Sequence, residues 1–580
     1  MQSIPVRQPI RSLKLRLLPA LLVAALALAA AQPAVSFADA SRATASTVVV
    51  EGDIARQIDT VLAATFKSDE PGAAVIVVKD GKTVLRKGYG MADVEKKIAI
   101  QPGDVFRIGS ITKQFTAVAI LMLEEEGKLS VKDEITKFLP DYPTQGKKIT
   151  VEHLLTHTSG IRSYTGMPDF RSIINKDMKP LDVVDFFKNE KMDFDPGERF
   201  LYNNSGYFLL GVIIEKVSGM SYAEFVAKRM FEPLGMAHTA FEGFERNGVK
   251  RIPGYGRGRD GYTPAAPMSM TQPYAAGSLV STVDDLARWD AAITAGKLVK
   301  SATWKRAFTP YALNNGKPTD YGYGWQLRKF LGEDLIEHGG AINGFHGQGM
   351  RLPASRVFVA VLTNRIGGRP TSEYHAERVT AIALGKPLTT PTPIKLAALA
   401  LDAFEGTYRV DDKENRIVVR DGEQLTLQRG GGRVPMAPYA ENEFFLPDFS
   451  HTRFRFVKGD DGKVKHMVVL DTSGKEEINP RTGDKPAQKK SIVLAQKDFD
   501  VLTGEYQLAP NFILTISRDG DRYLSQATNQ GQVEIFAESD TKFFVKVINA
   551  EITFQKDADG KATGLVLTQN GREMPAKKIK

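Results

Sequence analysis

Ser110 and Lys113 are the two residues whose types and spacing point most directly to covalent chemistry. They lie three positions apart in residues 106–117, whose apolar side chains predict a buried helix beginning at the serine. Side chains three apart on a helix are neighbours, so the lysine amine can lie beside the serine oxygen. A serine becomes a strong nucleophile when a base takes its proton, and burial lowers a lysine pKa from about 10.4 toward the neutral form that this base requires. In the alternative interpretation Ser110 only caps the helix.

A polar cluster before a second apolar segment supplies two more candidates. Tyr202-Asn-Asn204 follows a Pro-Gly turn and precedes residues 207–217, which predict an apolar helix. Tyr202 can carry protons between a nucleophile and a leaving group, and Asn204 can hydrogen-bond both Lys113 and a substrate amide. The alternative is that Asn204 or Ser205 caps the helix and has no chemical role.

Two glycines follow a histidine at positions 338–340, between the aromatic segment 321–326 and a strand predicted for residues 357–362. Because glycine has no side chain, Gly339 and Gly340 predict a strand edge against which a substrate backbone can lie. An ordinary glycine turn would explain the same residues.

The order and approximate spacing of Ser-x-x-Lys, Tyr-x-Asn and His-x-Gly resemble those of the serine hydrolases related to penicillin-binding proteins and class C β-lactamases. Two further segments, Leu154-Leu-Thr-His-Thr-Ser-Gly160 and Ala276-Gly-Ser-Leu-Val-Ser-Thr-Val-Asp284, also resemble this family. The resemblance extends over about residues 50–385.

This resemblance implies an α/β (α+β) catalytic domain of the β-lactamase and transpeptidase type, with an antiparallel sheet flanked by helices. The catalytic residues that it implies are Ser110 as the acylated nucleophile, Lys113 and Tyr202 as proton carriers, Asn204 orienting Lys113 and the substrate, and His338 at the third motif. It also implies an oxyanion hole formed by the backbone amides of Ser110 and Ala341. Such a hole typically contributes ~3 kcal/mol of transition-state stabilisation per donor.

The third motif departs from that of β-lactamases and many carboxypeptidases in the family, which carry a lysine whose charge binds the substrate carboxylate. This sequence has His338 instead, and family members with His-x-Gly include D-aminopeptidases, other D-amino-acid-directed peptidases and carboxyl esterases. The first hypothesis is therefore a D-aminopeptidase or carboxypeptidase-like enzyme that acts on amides, esters or small peptides, including those of the cell wall. β-Lactamase activity, carboxyl esterase activity and an inactive exported binding protein remain alternatives.

The first 38 residues predict an export signal. Four Lys or Arg residues precede the apolar residues 20–31, and Ser36-Phe-Ala38 places small residues where a signal peptidase cleaves. The apolar run of about twelve residues is too short for a stable membrane anchor. We expect cleavage near Ala38 and a periplasmic or extracellular location.

Composition and motif content exclude several functional classes. The chain has no cysteine, so disulfides and a lipid-anchored cysteine are impossible. The net charge is +9, of which the four cations of the export signal account for part and leave +5. The other Lys and Arg residues are interspersed with acids rather than clustered, so no nucleic-acid partner is predicted. No cofactor or metal site is predicted either, since there is no nucleotide-binding motif, and His153 and His157 lack a third ligand and are expected to pack in a helix.

The C-terminal part of the sequence contains a repeat. Its short alternating segments with Asp-Gly turns predict all-β structure. Landmarks recur at a constant displacement of 98 positions: Phe404-Glu-Gly-Thr-Tyr408 and Leu502-Thr-Gly-Glu-Tyr506, Asp421-Gly422 and Asp519-Gly520, Phe456 and Phe554, Gly462 and Gly560. Two copies of about 80 residues can each form a small closed antiparallel barrel. Their opening residues resemble the lipocalin-like modules of this hydrolase family, and the whole arrangement resembles that of D-aminopeptidases.

These observations predict a multidomain chain. The expected order is a signal peptide at 1–38, a hydrolase domain at 45–385, a linker at 386–398, a first barrel at 399–480, a linker at 481–497 and a second barrel at 498–580. Ligand binding, spacing and homo-oligomer formation remain open as roles of the barrels.

Overall fold

The computed structural model describes residues 48–580, apart from residues 168, 244–249, 259–260, 412–413, 430–431, 485–490, 510–511, 529–531, 547–549 and 570–571. The export signal predicted for residues 1–38 lies outside the described residues. Within the part that is described, no helix has the length and apolar character needed to cross a membrane.

The N-terminal region alternates strands with helices. Its strands are β1 (Val49–Val50), β2 (Ala73–Lys79), β3 (Lys82–Tyr89), β4 (Met91–Asp93), β5 (Ile98–Ala99), β6 (Phe106–Arg107), β7 (Ala240–Phe241), β8 (Tyr255–Gly258), β9 (Gly261–Pro264), β10 (Leu279–Ser281), β11 (Gln326–Phe330), β12 (Glu333–Ile342), β13 (Phe345–Leu352), β14 (Val357–Thr363) and β15 (Arg365–Ile366).

Its helices are α1 (Gly52–Thr65), α2 (Thr112–Glu125), α3 (Val151–Leu155), α4 (Phe170–Ile173), α5 (Pro180–Phe187), α6 (Asn204–Ser218), α7 (Tyr222–Val226), α8 (Glu232–Leu234), α9 (Tyr274–Gly277), α10 (Val283–Thr294), α11 (Ser301–Ala307) and α12 (Ser372–Ala383). Short 3-10 turns at Gly109–Ile111, Ile135–Lys137 and Tyr164–Gly166 and a π-helical segment at Ala227–Phe231 complete the region.

The central element of this region is a seven-stranded sheet in the order β1, β3, β2, β14, β13, β12, β11, in which every neighbouring pair is antiparallel. Successive residues of a strand point to opposite faces, so the wholly buried strand β14 serves two cores. Val359 and Val361 pack with α1 and α12, whereas Ala360 and Leu362 pack on the face that carries α2. The sheet is therefore covered by helices on both faces.

Helix α2 lies in the interior of the region, and every residue from Thr112 to Leu123 is buried. A helix that is apolar on all sides is stable only when it is surrounded by other elements. The 3-10 turn Gly109–Ile111 leads directly into α2, so Ser110 lies at the start of the most enclosed helix, where its position is fixed by the packing around it.

The C-terminal region consists of two closed eight-stranded barrels. The first has a short helix α13 (Ala398–Leu401), a 3-10 turn (Asp402–Phe404) and strands β16 (Gly406–Arg409), β17 (Asn415–Asp421), β18 (Gln424–Arg429), β19 (Gly432–Ala440), β20 (Glu443–Phe445), β21 (Arg453–Lys458), β22 (Val464–Leu470) and β23 (Glu476–Gly483). The second has α14 (Gln496–Asp500) and strands β24 (Gly504–Ala509), β25 (Phe512–Asp519), β26 (Arg522–Ala527), β27 (Val533–Ala537), β28 (Lys542–Val545), β29 (Ala550–Lys556), β30 (Ala562–Gln569) and β31 (Arg572–Lys578). The fold class predicted from the sequence is confirmed.

The two barrels repeat each other in detail. The Tyr408 hydroxyl donates to the Phe404 carbonyl at 2.7 Å, and the Tyr506 hydroxyl donates to the Leu502 carbonyl at the same distance. Buried apolar side chains fill both interiors. Each barrel is therefore a packed module in which the repeated tyrosine ties the first strand to the turn before it.

Strand β23 passes the end predicted for the first barrel. It continues to Gly483, whereas the sequence predicts a barrel at 399–480 and a linker at 481–497. Pro480 indicated a break in the strand, but it pairs with His466 on one side, and pairing with β16 begins only at Arg481. A proline, which lacks a backbone N–H, is tolerated where no partner strand requires one.

Candidate active site

Lys113 is at the centre of the site. Its amine lies 3.1 Å from the Ser110 oxygen, 2.9 Å from Asn204 Oδ1 and 2.9 Å from the Ala276 carbonyl oxygen. The side chain is fully buried, and it forms no ion pair in the described part of the chain. Desolvation lowers the Lys113 pKa well below its ordinary value of 10.5, which favours the neutral amine.

The three neighbours of this amine match the hydrogen-bonding capacity of the neutral form. A neutral amine has two protons to donate and one lone pair. Asn204 Oδ1 and the Ala276 carbonyl oxygen can only accept, so each accepts a hydrogen bond from one of the two N–H groups. The lone pair then remains for the proton of the Ser110 hydroxyl. The geometry is that of a base bonded to the group it would deprotonate.

Neither Ser110 nor Asn204 is a helix cap, so the capping alternatives are excluded for both residues. Ile111 is the N-cap residue of α2 and forms no side-chain capping bond. At α6 the side chain of Asn203, rather than Asn204, accepts from the backbone N–H of Gly206 at 2.9 Å. Asn204 instead donates its amide Nδ2 to Thr165 Oγ1 at 3.0 Å, which fixes its carbonyl oxygen toward Lys113.

The phenol of Tyr202 lies over the same amine, with Lys113 Nζ 4.8 Å from the ring centroid. Its hydroxyl is buried and has no hydrogen-bond partner among the described residues. Burial raises the pKa of Tyr202 above its ordinary value, and the nearby Ser110 hydroxyl offsets part of this effect. Tyr202 is thus a protonated phenol beside Ser110, with its hydroxyl available to another group.

His338 is buried and neutral. Its Nδ1 lies 2.6 Å from the Gly339 carbonyl oxygen, which can only accept, so Nδ1 carries the proton. Nε2 then accepts from the Tyr321 hydroxyl at 2.8 Å. Burial lowers the pKa of His338 to about 3. Both ring nitrogens are occupied, and no positive charge is held at the position of the third motif.

Strand β12 passes directly beside the 3-10 turn Gly109–Ile111, which is called the nucleophile turn below because it carries the candidate nucleophile Ser110. A Cβ atom added to Gly340 would lie 2.0 Å from the Ile108 carbonyl oxygen and 3.0 Å from the Ser110 amide nitrogen. Glycine at position 340 therefore allows β12 to pack closely against this turn. The next residue, Ala341, is also close to the turn, since a Cβ atom added to Gly109 would lie 3.1 Å from the Ala341 amide nitrogen. The Ser110 and Ala341 amides thus belong to two segments in contact.

Beyond Glu337 one edge of β12 is open. Strand β11 pairs with residues 333–337 of β12, and β13 pairs with residues 336–342 on the other side. Among the described strands none pairs with the β11 side of residues 338–342. Gly339 lies in this half and is partly exposed, and Ala341 is exposed. This open half-strand next to Ser110 offers backbone groups to a ligand.

Three contributors were not assigned to the site from the sequence. The Ala276 carbonyl could not be identified because a backbone atom leaves no signal in the residue type. Tyr321 lies in the aromatic segment 321–326, whose residue types do not indicate a bond to His338. His157 was expected to pack in a helix, whereas it follows α3 and its ring lies 4.3 Å from that of Tyr202. The segment of residues 154–160, which resembles the family, was the available signal for His157.

The two histidines four positions apart form separate hydrogen bonds. His153 Nδ1 accepts from the Thr150 backbone N–H and closes a capping box at α3, whereas His157 Nδ1 accepts from Asn203 N. In the part of the chain that the structure describes, no three His, Asp or Glu side chains come together as metal ligands would.

Comparison with known proteins identifies relatives over most of the chain. The family model described as Beta-lactamase matches residues 54–384, and a domain of unknown function, DUF3471, matches residues 488–578. Penicillin-binding protein 4* of Bacillus subtilis is 29% identical over 450 residues, which cover 73% of this chain and 99% of that protein. Protein flp of Staphylococcus aureus strain MRSA252 is 32% identical over 54% of this chain and 63% of its own length. The octameric penicillin-binding protein homologue from Pyrococcus abyssi superimposes with a TM-score of 0.53 at 30% identity, over 73% of this chain and 99% of that one.

Proposed function

This chain belongs to the β-lactamase and penicillin-binding protein family of serine hydrolases, and we propose that it forms an acyl-enzyme at Ser110 on the amide or ester bonds of small substrates. The observation that carries the proposal is the buried Lys113 amine. It donates hydrogen bonds to Asn204 Oδ1 and the Ala276 carbonyl oxygen, which leaves its lone pair directed at the Ser110 hydroxyl. A preferred substrate is a short peptide or amide that contains D-amino acids.

The proposed reaction has two halves. Ser110 Oγ attacks the substrate carbonyl carbon while its proton moves to Lys113 Nζ, and the backbone amides of Ser110 and Ala341 stabilise the oxyanion. The bond to the leaving group then breaks, and the leaving group takes the Tyr202 hydroxyl proton, which the Lys113 ammonium replaces. In the second half a water oxygen attacks the acyl carbon and gives one proton to the Lys113–Tyr202 pair. The bond between the acyl carbon and Ser110 Oγ then breaks, Ser110 Oγ takes this proton back, and the acid is released. Asn204 holds Lys113 and the substrate, and Gly339 and Gly340 leave the strand edge clear.

The neutral third motif supports a substrate without a carboxylate at that point. A lysine there would offer a fixed charge, whereas His338 is uncharged and bonded to Tyr321 and Gly339. This favours amides and amino-terminal D-residues over penicillins and carboxypeptidase substrates, both of which carry a carboxylate. Turnover of nitrocefin would favour the β-lactamase alternative instead.

A carboxyl esterase is the second candidate, and one observation favours it. Phe200 and Leu201, directly before Tyr202, are 39% and 43% exposed. Exposed apolar side chains next to Tyr202 in the sequence would suit an apolar acyl or alcohol group. Efficient cleavage of p-nitrophenyl esters without any turnover of D-amides would favour this candidate.

Intact-mass spectrometry of the purified chain tests the proposal. The protein is treated with a fluorophosphonate, a penicillin and matched D- and L-amino-acid amides, and product release is followed in parallel. We expect one adduct, lost in Ser110→Ala while the thermal unfolding midpoint is kept, and faster turnover of D-amides. Turnover retained by Ser110→Ala would contradict the mechanism, and a chain with neither adduct nor turnover would be a binding protein.

Export and assembly are part of the same proposal. The basic and apolar residues of the first 38 positions support cleavage near Ala38 and a periplasmic or extracellular enzyme. The mass of the chain recovered from the periplasm or medium tests this.

The relative from Pyrococcus abyssi is described as octameric, which supports a homo-oligomer here as well. Light scattering of the purified chain measures its mass in solution.

A further inference from the structure

His157 lies behind the ring of Tyr202 in the candidate active site. It is 1% exposed, and its ring centroid lies 4.3 Å from that of Tyr202, 5.0 Å from that of Tyr207 and 4.7 Å from that of Tyr321. Its backbone φ is +59°, a left-handed conformation in which asparagine, aspartate and histidine are over-represented among residues other than glycine. Histidine and asparagine are therefore both compatible with the backbone at this position.

The same residue holds the backbone on both sides of Tyr202. Its ring Nδ1 accepts from the Asn203 backbone N–H at 3.0 Å, and its carbonyl oxygen accepts from the Leu201 backbone N–H at 3.0 Å. The Tyr202 hydroxyl forms no hydrogen bond of ordinary geometry with a described residue, and the polar group that affects its pKa is the Ser110 hydroxyl, the group it would serve. The ring and the backbone therefore hold the phenol in place, and His157 contacts both.

Few side chains can form this set of contacts. The position requires an acceptor atom for the Asn203 N–H and a flat ring to pack against Tyr202. Because Nδ1 accepts, the proton of the neutral ring is on Nε2, which has no acceptor among the described residues and lies between aromatic rings. Phenylalanine would keep the ring without the acceptor, and asparagine would keep the acceptor without the ring.

We propose that His157 is a positioning residue, which fixes the Tyr202 phenol beside Ser110 for proton transfer and does not itself touch the reacting atoms. This inference rests on the proposed role of Tyr202 as a proton carrier.

Two variants of His157 separate its two contacts. In His157→Phe the Asn203 N–H is left without its acceptor, and we expect kcat to fall by about 10- to 100-fold with KM changed by less than about twofold, because a small misplacement of a catalytic group is costly. His157→Asn offers an oxygen near the Nδ1 position and tolerates the left-handed backbone, so it should recover part of the loss. The rate of fluorophosphonate labelling at Ser110 should change little in both. Wild-type kcat in both variants would overturn the proposal. If His157→Phe does not fold, wild-type kcat in His157→Asn alone overturns it, because that variant lacks the ring that packs on Tyr202.

A double-mutant cycle with Tyr202→Phe distinguishes positioning from general stability. Once the Tyr202 hydroxyl is removed, His157→Phe should lower kcat by less than about twofold more, because the group it positions is gone. Equal losses in both backgrounds would mean that His157 only stabilises the fold, and the proposal would be wrong. If Tyr202→Phe alone keeps full turnover, the proposed proton role of Tyr202 fails. If Tyr202→Phe is slow but His157→Phe is not, only the present inference fails.

Discussion

Lys113 keeps its amine away from water, and this burial determines how activity should depend on pH. In the proposed mechanism the neutral amine is the base, so turnover should be present above the lowered pKa of Lys113 and lost as the pH falls through it. We expect kcat/KM to be maintained through neutral pH and its acid limb to lie far below pH 10.5. His338, with a pKa lowered to about 3 by burial, should add no titration near pH 6.5.

The pH profile of kcat/KM measures this, with Lys113→Arg as the companion variant. A guanidinium stays charged at all accessible pH, so the variant should lose about 10³-fold or more in turnover. An acid limb at about pH 10 would mean that the amine is charged at neutral pH and is not the base.

At the level of single residues, the sequence predicted side chains better than their partners. Ser110 and Lys113 were identifiable because a helix places residues three apart on one face, and their side chains are 3.1 Å apart. The capping role of Asn203, one position before Asn204, was not resolved, since both are asparagines at the start of one helix. The contact of His157 with Asn203 joins residues 46 positions apart, and local periodicity holds no information about such a contact.

Strand β12 is the element whose exact placement the site depends on. In Gly340→Ala the new Cβ would lie 2.0 Å from the Ile108 carbonyl oxygen, so β12 has to move away from the nucleophile turn. We expect kcat/KM to fall by about 10²-fold or more, because the Ser110 and Ala341 amides would separate. The measurement is kcat/KM together with the thermal unfolding midpoint.

Gly349→Ala is a matched control for this change. Gly349 lies on β13 opposite His338, and a Cβ there meets no atom within 4 Å. It should keep wild-type turnover. Equal activity of Gly340→Ala and Gly349→Ala would show that the contact between β12 and the nucleophile turn is not required for catalysis.

The sequence predicted most elements but not all of their ends. Apolar runs predicted helix α6 and strand β14, because an element that is buried on all sides contains few polar residues. The sequence does not indicate the end of β23 at Gly483, because whether a proline ends a strand depends on which neighbouring strand needs its N–H.

At the scale of the whole molecule, the first barrel is bonded to the strand pair that carries His338. The Thr472 hydroxyl donates to Glu377 Oε1 at 3.2 Å and lies 3.2 Å from Arg328 Nη1, and Arg328 also binds Glu337, the neighbour of His338. The Thr472 carbonyl oxygen accepts from the Leu331 N–H at 2.6 Å. The barrel turn is thus part of the support of β12.

Thr472→Val should weaken this support. It leaves Arg328 and Glu377 with one buried partner fewer, at a cost of about 1–3 kcal/mol for such groups, and the thermal unfolding midpoint should fall. Ser473→Ala in the same turn is the control, since the Ser473 side chain bonds only the Lys475 N–H among the contacts described. Equal midpoints for the two variants would mean that the barrel contact is not stabilising.

The repeat of the barrels could be predicted because each copy is a local pattern at a fixed displacement. Their attachment could not, since the bond between Arg328 and Thr472 joins residues 144 positions apart. Nothing in the residue types of a polar turn indicates which distant carboxylate it will meet.

The open half of β12 has a consequence for any peptide that binds along it. A substrate that hydrogen-bonds along residues 338–342 acts as a short extra strand, so it has to present an extended backbone with its N–H groups intact. Tight cyclic peptides and chains methylated on the bonding nitrogen break this requirement whatever side chains they carry. Recognition at this edge therefore selects the shape and hydrogen-bonding pattern of a backbone before it selects any side chain.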